Sequence, residues 1–267
     1  MNAHELFQAG QITAAIQSLT AQVKALPNDL AARSLLAELL CIQGDLERAD
    51  KQLTILADQD AKNAYTLAIL RQLIRAELAR QETRKAGRVP EIFNKPDAYV
   101  KKQLQALTEW RAGNGRQTVN LLKQASQKLK PLRGRLNQQP FTDIRDLDDL
   151  CQHHLEVLTF NGAYYWLPLQ DIKSIEFSPA KRPLDLIWRQ THIILNDERS
   201  LDAVIPAIYA HPESETDERI RLGRMTDWQT ETHSPTLGLG LRMFLIGETA
   251  VSIHDIHTLS LEQVDAG

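Results

Sequence analysis

Apolar residues recur every three or four positions between Asn28 and Asp60, with one interruption at Gly44-Asp45. The recurring positions are Leu35, Leu36, Leu39, Leu40 and Ile42 before the interruption, and Leu46, Ala49, Leu53, Leu56 and Ala57 after it. This spacing predicts two helices. Glycine lets the backbone leave a helix with positive φ, and aspartate caps the next helix by accepting from its free N–H groups. The segment is therefore predicted to be a helical hairpin.

The turn of this hairpin recurs at two other places. Shifting by 34 residues pairs Gly44 with Gly10, Leu46 with Ile12, Ala49 with Ala15 and Leu53 with Leu19. A looser copy begins at Gly113, 69 residues after Gly44, with Thr118 and Leu122 in the matching positions. A period of 34 residues is typical of tetratricopeptide repeats, whose hairpins stack and share a core. The alternative is an ordinary helical bundle with coincidental spacing.

Helical periodicity continues beyond this hairpin and then stops. It covers residues 63–86, 98–112 and 116–130, with a Pro- and Gly-containing break at residues 87–97. Pro131 and the polar residues after it predict a linker within residues 131–142. We therefore predict a tetratricopeptide-like helical domain over residues 1–135 and a second domain over residues 136–267. Residues 1–130 are expected to be almost entirely helical, with the strands after Leu155.

Beyond the linker the pattern changes to short alternating segments. A short acidic run at residues 145–160 is predicted to be helical, and Asn161-Gly162 then joins two apolar runs as in a β-hairpin. Gly247-Glu248 predicts a second hairpin. The β-like segments are IKSIEF, LIWRQTHIIL, LDAVIPAIY, LRMFLIG and TAVSIHDI. The predicted fold class is α+β: a tetratricopeptide-like hairpin stack followed by a mainly antiparallel β or α+β domain.

The amino-acid composition limits the classes of protein to which this chain can belong. The hydrophobic content of 43% is enough for real cores, and no apolar run approaches the roughly 20 residues of a membrane span. The first residues lack the pattern of a signal peptide. Cys41 and Cys151 are the only cysteines, and their wide spacing predicts reduced thiols in a cytoplasmic protein.

Charge is distributed unevenly along the chain. Residues 1–135 contain 21 Lys and Arg against 13 Asp and Glu, a balance of +8; the remaining residues contain 10 against 21, a balance of −11. Either the two halves dock against each other, or the basic half binds an acidic partner. A nucleic-acid-binding module using residues 71–135 is a further alternative. However, Phe93, Tyr99 and Trp110 are too scattered for a base-stacking platform.

The chain lacks the motifs that would assemble an active site. Gly238-Leu-Gly240 is interpreted as a two-glycine turn, without the third glycine of a phosphate loop. His153-His154 diverge on a predicted helix, and the spacing of His254 and His257 is a weak metal signal. The acidic residues Asp146, Asp148 and Asp149 are interpreted as the first turn of a helix, and Trp166, Trp188 and Trp228 as core. We expect no enzymatic activity, cofactor or metal; an enzyme of unrecognised type in the C-terminal domain remains the alternative.

Several stretches, in order along nearly the whole chain, resemble the ImpE family of type VI secretion gene clusters, whose members are also called TagJ or SciE. The stretches are LLAELLCIQGDLERADKQL, RQLIRAELAR, GRVPEIF, PFTDIRDLDDL, YYWLPLQDIKSIEF, RPLDLIWR, RLGRMTDW and GLGLRMFLIGETAVSIHDI. The resemblance implies a cytoplasmic accessory factor of a contractile, phage-tail-like secretion machine. It implies binding to a helical segment of the sheath subunit TssB and a part in sheath recycling by the ATPase ClpV. It implies no catalytic residues, metal or cofactor.

The repeat pattern and the resemblance together predict where a partner helix binds. The tetratricopeptide alignment turns Leu36, Ala37 and Leu40 inward, against the second helix of the hairpin. The concave face is then formed by Ala31, Ser34, Glu38, Cys41 and Ile42. Arg71 and Arg75 are predicted either to form a basic rim of this groove or to be ion-paired structural residues. Apolar anchors would set affinity, and the charged rim would set orientation.

Overall fold

The N-terminal half is a stack of helices. The computed structural model describes residues 1–127, 129–210 and 215–262. Its helices are α1 (Ala3–Gln8), α2 (Ile12–Ala25), α3 (Leu30–Gln43), α4 (Leu46–Gln59), α5 (Ala64–Lys85), α6 (Ala98–Arg111), α7 (Gly115–Ser126) and α8 (Glu218–Arg221). Consecutive helices pack from α1 to α5, and α6 and α7 form a further hairpin. The predicted helical hairpins are confirmed.

The three predicted glycine turns explain why these hairpins form. Gly10, Gly44 and Gly113 have φ values of 84°, 86° and 78°, the left-handed conformation that glycine adopts without a Cβ clash. After Gly44, the side chain of Asp45 accepts a hydrogen bond from the N–H of Arg48 at 3.3 Å and caps α4. Each turn is therefore determined by its own few residues.

Fourteen strands are present among the described residues, and all except β1 lie in the C-terminal half. They are β1 (Glu91–Ile92), β2 (Gly134–Leu136), β3 (Gln139–Phe141), β4 (Ile144–Asp146), β5 (His154–Thr159), β6 (Tyr164–Pro168), β7 (Ile172–Phe177), β8 (Trp188–Leu195), β9 (Ser200–Pro206), β10 (Thr226–Gln229), β11 (Leu237–Gly240), β12 (Met243–Ile246), β13 (Thr249–Ser252) and β14 (Thr258–Leu261). Nine of them form one sheet in the order β1-β6-β5-β9-β8-β7-β14-β2-β3. All its pairs are antiparallel except β1 with β6. The predicted α+β class, with its mainly antiparallel C-terminal half, is confirmed.

Both predicted β-hairpins are present. β5 and β6 pair across Asn161-Gly162, and Gly162 has a φ of 91°. β12 and β13 pair across Gly247-Glu248, where Gly247 has a φ of 60°. In both cases glycine supplies the positive φ that a tight turn between antiparallel strands requires.

The prediction that strands begin only after Leu155 is wrong. Strands β2, β3 and β4 precede that residue, and the two-residue β1 lies in the break between α5 and α6. The acidic run at residues 145–160 is not a helix but the end of β4, a turn and β5. Charged and apolar residues are interspersed in this run, and its buried carboxylates contact arginines from other elements of the fold. Gly238-Leu-Gly240, interpreted as a turn, belongs to strand β11, where Gly238 faces the ring of Tyr209.

The helical stack lies on part of one face of the large sheet. Its core is continuous with sheet residues, which include Tyr164, Trp166, Trp188 and Val204. The opposite face packs against the three-stranded sheet β13-β12-β4 and forms a second core. Of the three tryptophans predicted to be core, Trp166 and Trp188 are buried and Trp228 is half-buried. The α5 helix is consequently enclosed by α4 on one side and by β5 and β6 on the other.

Enclosure of α5 changes which of its faces is buried. Leu67, Leu70, Ile74 and Leu78 recur at helical spacing and define one apolar stripe of α5. The first three are buried, but Leu78 is 41% exposed. Arg80 and Arg84, on the side away from the apolar stripe, are buried instead. Among the described residues, no helix is both long enough and apolar enough to span a membrane. Both cysteines are free and buried, in agreement with the expectation of reduced thiols.

Candidate functional site

The predicted concave face of α3 is open at one end and covered at the other. Ala31 is exposed and Ser34 half-buried near the start of the helix. Further along, Glu38, Cys41 and Ile42 are 9%, 6% and 1% exposed. The cover is the chain's own 3₁₀ turn Pro183–Leu186, which packs against α3. The predicted groove is therefore half filled within the molecule.

Glu38 takes part in that contact and does not face solvent. Its carboxylate accepts a hydrogen bond from the backbone N–H of Leu184 at 3.4 Å. Burial raises the pKa of Glu38, and the nearby Arg182 guanidinium opposes that rise. Burial also raises the pKa of the Cys41 thiol, so Cys41 is a neutral packing residue rather than a reactive thiolate.

The two predicted rim arginines have different roles. Arg71 binds both carboxylate oxygens of Asp50 on α4, with Nε–Oδ1 at 2.7 Å and Nη2–Oδ2 at 3.1 Å. This bidentate ion pair joins α5 to α4, which is the structural alternative considered for Arg71. Arg75 is exposed and donates to the side chain of Gln72 at 3.2 Å. Of the two, Arg75 is the more accessible cation.

A buried network of charges links α5 to the sheet. Arg80 donates to Glu156 of β5 at 2.8 Å and to Glu77 of its own helix at 3.2 Å. Arg242 also donates to Glu156, and the hydroxyl of Tyr164 donates to it at 2.7 Å. Burial by itself would raise the pKa of Glu156, but Arg80 and Arg242 hold it well below its usual range. Glu156 is thus an ionised carboxylate in the interior, compensated by two guanidinium groups.

The acidic turn after β4 belongs to the same network. Asp148 lies 3.6 Å from the guanidinium of Arg84 and accepts the N–H groups of Leu150 and Gly238 at 2.7 and 3.1 Å. Asp146 accepts from the hydroxyl of Tyr209 at 2.9 Å. Burial raises the pKa of Asp146 to about 7, against the opposing effect of Arg242. The predicted helical first turn for these aspartates is wrong: Asp148 faces the buried Arg84, and Asp146 lies beside the buried Arg242.

The histidines are placed in separate environments. His154 is buried in β5, where its ring stacks on Trp166 with centroids 4.2 Å apart, and burial lowers its pKa to about 3. His254 lies 3.4 Å from Arg189, and burial lowers its pKa as well. In the part of the chain that the structure describes, no group of three or more His, Cys, Asp or Glu side chains has the arrangement of a metal site. His154 and His254 are therefore neutral imidazoles within the fold.

Comparison with known proteins identifies the family. A profile described as ImpE protein matches residues 138–260. The type VI secretion system accessory component TagJ of Pseudomonas aeruginosa is 30% identical over 266 residues, spanning 100% of this chain and 93% of TagJ. The chain belongs to the ImpE family. The crystal structure of protein VPA1032 from Vibrio parahaemolyticus has a TM-score of 0.91 at 27% identity, covering 99% of this chain and 98% of that one.

The covered groove in this ImpE family member is reinforced at a second point. Arg224, just after α8, donates to the backbone oxygens of Phe7 and Gln8 at 2.9 Å each. The side chain of Glu218 accepts the N–H of Thr13 at 3.0 Å. Together with the turn at residues 183–186, these bonds tie the C-terminal half to the first two hairpins. The accessible part of the concave face is therefore its remaining end, near the starts of α3 and α5.

The buried network is the feature of this ImpE chain that its sequence pattern did not predict. Arg80 and Arg84 lie four residues apart on one helix face, and Glu156 alternates with the apolar residues Leu155 and Val157. One feature of the sequence could have indicated this network: a carboxylate at a position of a predicted strand that faces the core. A charge there needs a partner, because burying an unpaired charge costs much free energy. Assigning its partner requires the tertiary structure, since Arg80 is 76 residues away.

Proposed function

We propose that this chain is a non-enzymatic, cytoplasmic accessory protein of a type VI secretion system that binds a helical segment of the sheath subunit TssB. Its full-length similarity to TagJ, an accessory component of that system, is the observation that carries the proposal. Bound to TssB, the protein would assist sheath assembly or the recycling of the sheath by ClpV. A non-catalytic role is supported by the burial of both thiols, which raises the pKa of each.

We place the TssB site on the open end of the concave face. Consecutive helices in the stack are antiparallel, so α3 and α5 begin at the same edge of the molecule. Ala31 and Ser34 lie at this end of α3, and Arg71 and Arg75 lie near the middle of α5. The covered residues Glu38, Cys41 and Ile42 would then support the groove without touching the partner.

Two exposed apolar side chains make this edge suitable for an amphipathic helix. Leu26, just before α3, is 61% exposed, and Tyr65, the second residue of α5, is 80% exposed. Large apolar side chains in solvent are the usual anchors of a helix-in-groove interface. In this arrangement Leu26 and Tyr65 would bury against the apolar face of the TssB helix. Arg75 would contact carboxylates along its rim.

Co-purification tests the proposal directly. The purified chain would be mixed with TssB carrying or lacking its N-terminal segment, and the complex isolated by size-exclusion chromatography at about physiological salt. We expect a complex with complete TssB and none with the truncated protein. Failure to bind complete TssB across a range of salt concentrations would overturn the proposed partner.

A further inference from the structure

The residues from 98 to 135 form a segment of nearly uniform positive charge, which we call the basic arm. It comprises α6, α7 and the chain leading into β2. Within it stand nine lysines and arginines and one acidic residue, Glu109, whereas the whole chain has a net charge of −3. The carboxylate of Glu109 accepts a hydrogen bond from the side chain of Asn114 at 2.7 Å. The local excess of cations is therefore not neutralised within the arm.

Six described cations of the arm also lack ion-pair partners from the rest of the molecule. Within the described ranges, no salt bridge forms to any of six of them, of which Lys102 is half-buried and the other five are exposed: Lys101, Lys102, Arg116, Lys123, Arg133 and Arg135. Lys62 and Arg75, which are exposed elsewhere on the surface, likewise form no salt bridge among the described residues. Several other exposed cations, however, are paired with neighbouring acids. Examples are Arg48 with Asp45, Lys51 with Glu47, Arg88 with Glu82, Lys173 with Glu198, Arg199 with Asp197 and Arg219 with Asp217. The arm thus differs from these paired sites, because it holds six described cations without a salt bridge and only one acidic residue.

The outward face of α7 has a regular pattern. Arg116, Asn120, Lys123 and Gln127 follow at intervals of four, three and four residues, which places them on one side of the helix. The opposite side carries the buried Thr118, Leu121, Leu122 and Ala125. The outward face consequently combines cations with amide side chains and contains no carboxylate. Guanidinium, ammonium and amide groups together can donate several hydrogen bonds to carboxylates on a docked chain.

We propose that the outer face of the basic arm is a docking surface for an acidic segment of a partner protein. Charge complementarity is the argument, because an unpaired cationic face lowers its free energy when carboxylates bind to it. This surface is separate from the open edge of the concave face, so the inference goes beyond the proposed TssB site. It gives the chain a second point of attachment, through which it could join two components of one assembly.

The features of the arm favour an acidic protein over a nucleic acid. Tyr99 is buried and Trp110 half-buried, so the arm offers no fully exposed aromatic ring for base stacking. The residues beyond 135 carry 10 basic against 21 acidic side chains, a balance of −11. A long polyanion that extended beyond the arm onto that half would be repelled by its net negative charge, whereas a short acidic segment bound within the arm would not. Repulsion beyond the arm therefore selects for a compact acidic ligand.

A charge-reversal experiment tests this surface. The probe is a fluorescent helical peptide of alternating glutamate and alanine clusters, titrated with the full chain at about 0.15 M salt and read by anisotropy. The test variant combines Arg116→Glu with Lys123→Glu on α7. The control combines Arg48→Glu with Lys51→Glu on α4 and changes the net charge equally. Both variants are checked for folding by their melting temperature.

We expect the α7 variant to lose about tenfold or more in affinity for the peptide and the α4 variant to stay within about twofold of the wild type. An equal loss in both variants, or no binding of the peptide to the wild type, would overturn the inference. Parallel titrations use single-stranded oligothymidine and a DNA duplex. Tighter binding of either, abolished by the α7 variant, would assign the arm to nucleic acid instead. Light scattering of the chain alone would reveal self-association through the arm, which would equally overturn an acidic partner.

Discussion

Arg80 on α5 and Glu156 on β5 form an ion pair at 2.8 Å, with each side chain only 1% exposed. The two residues come from the helical stack and from the large sheet. Their pairing means that the two halves share one interior, in which charge as well as apolar surface is buried. A charge removed from this interior leaves its partner without solvent or compensation.

Removal of Arg80 should therefore destabilise the protein strongly. We expect Arg80→Leu to lower the free energy of unfolding by about 3–5 kcal/mol, because Glu156 and Glu77 would lose a buried counter-charge. Chemical denaturation monitored by circular dichroism measures this change. Arg75→Leu on the exposed side of the same helix is the control and should stay within about 0.5 kcal/mol. A similar loss in both variants would show that the effect comes from the helix and not from the buried pair.

Asp146 should make stability fall as pH rises. Burial raises the pKa of Asp146 from 3.8 to about 7 in the folded protein. Between about pH 4 and pH 7 the unfolded chain has lost this proton and the folded chain keeps it, so this group reduces the unfolding free energy by about 1.4 kcal/mol per pH unit. Asp146→Asn removes the titration and keeps an acceptor for Tyr209.

The measurement is the difference in unfolding free energy between Asp146→Asn and the wild type at about pH 5 and about pH 7. We expect the variant to gain roughly 2–3 kcal/mol relative to the wild type over that interval. A difference that is constant with pH would show that Asp146 is ionised in the folded state throughout, held so by Arg242.

Tyr65 should contribute to partner binding and not to folding. Its side chain is 80% exposed, so Tyr65→Ala should change the unfolding free energy by less than about 0.5 kcal/mol. If it is an anchor for the TssB helix, the same change should weaken binding by about tenfold or more. Isothermal titration calorimetry with TssB provides the affinity, and Lys62→Ala in the preceding 3₁₀ turn is the exposed control. Unchanged affinity for Tyr65→Ala would move the site away from this edge.

Glu38, unlike Tyr65, should contribute to folding and not to partner binding. Glu38→Lys removes the acceptor of the Leu184 N–H and places a second cation near Arg182 in a covered contact. We expect a loss of about 1–3 kcal/mol in stability with little change in the affinity of the folded protein for TssB. Ala31→Lys, at the open end of the same helix, should reverse this outcome: stable folding and weaker binding. If Glu38→Lys lowers affinity without lowering the melting temperature, the closed end of the groove is accessible to the partner.

The hairpins and turns of this protein were predictable from sequence because each depends on a few adjacent residues. Gly44 adopts its positive φ and Asp45 caps the next helix whatever lies elsewhere in the fold. The same holds for Asn161-Gly162 between β5 and β6. The 34-residue period and the change from helical to alternating hydrophobic periodicity near residue 131 could also be identified from the sequence alone. The resemblance to the ImpE family, carried by stretches along the whole chain, is confirmed by the full-length similarity to TagJ.

Only the tertiary structure decided which charged residues are buried and which face of the stack is open. The acidic run after residue 144 has the composition of a solvated helix, but it forms the end of β4, a turn and β5. Inside the protein its carboxylates meet arginines from distant segments: Asp148 faces Arg84, and Glu156 pairs with Arg80 and Arg242. The concave face of α3 has the pattern of an open groove, yet a distant turn covers half of it. The N–H of Leu184, which lies 146 residues after Glu38 in the chain, donates to the Glu38 carboxylate. In the sequence, a charged residue or an apolar helix face indicates only that it needs a partner in the folded protein. Which partner it meets depends on how distant segments pack, and that information is not in the neighbouring sequence.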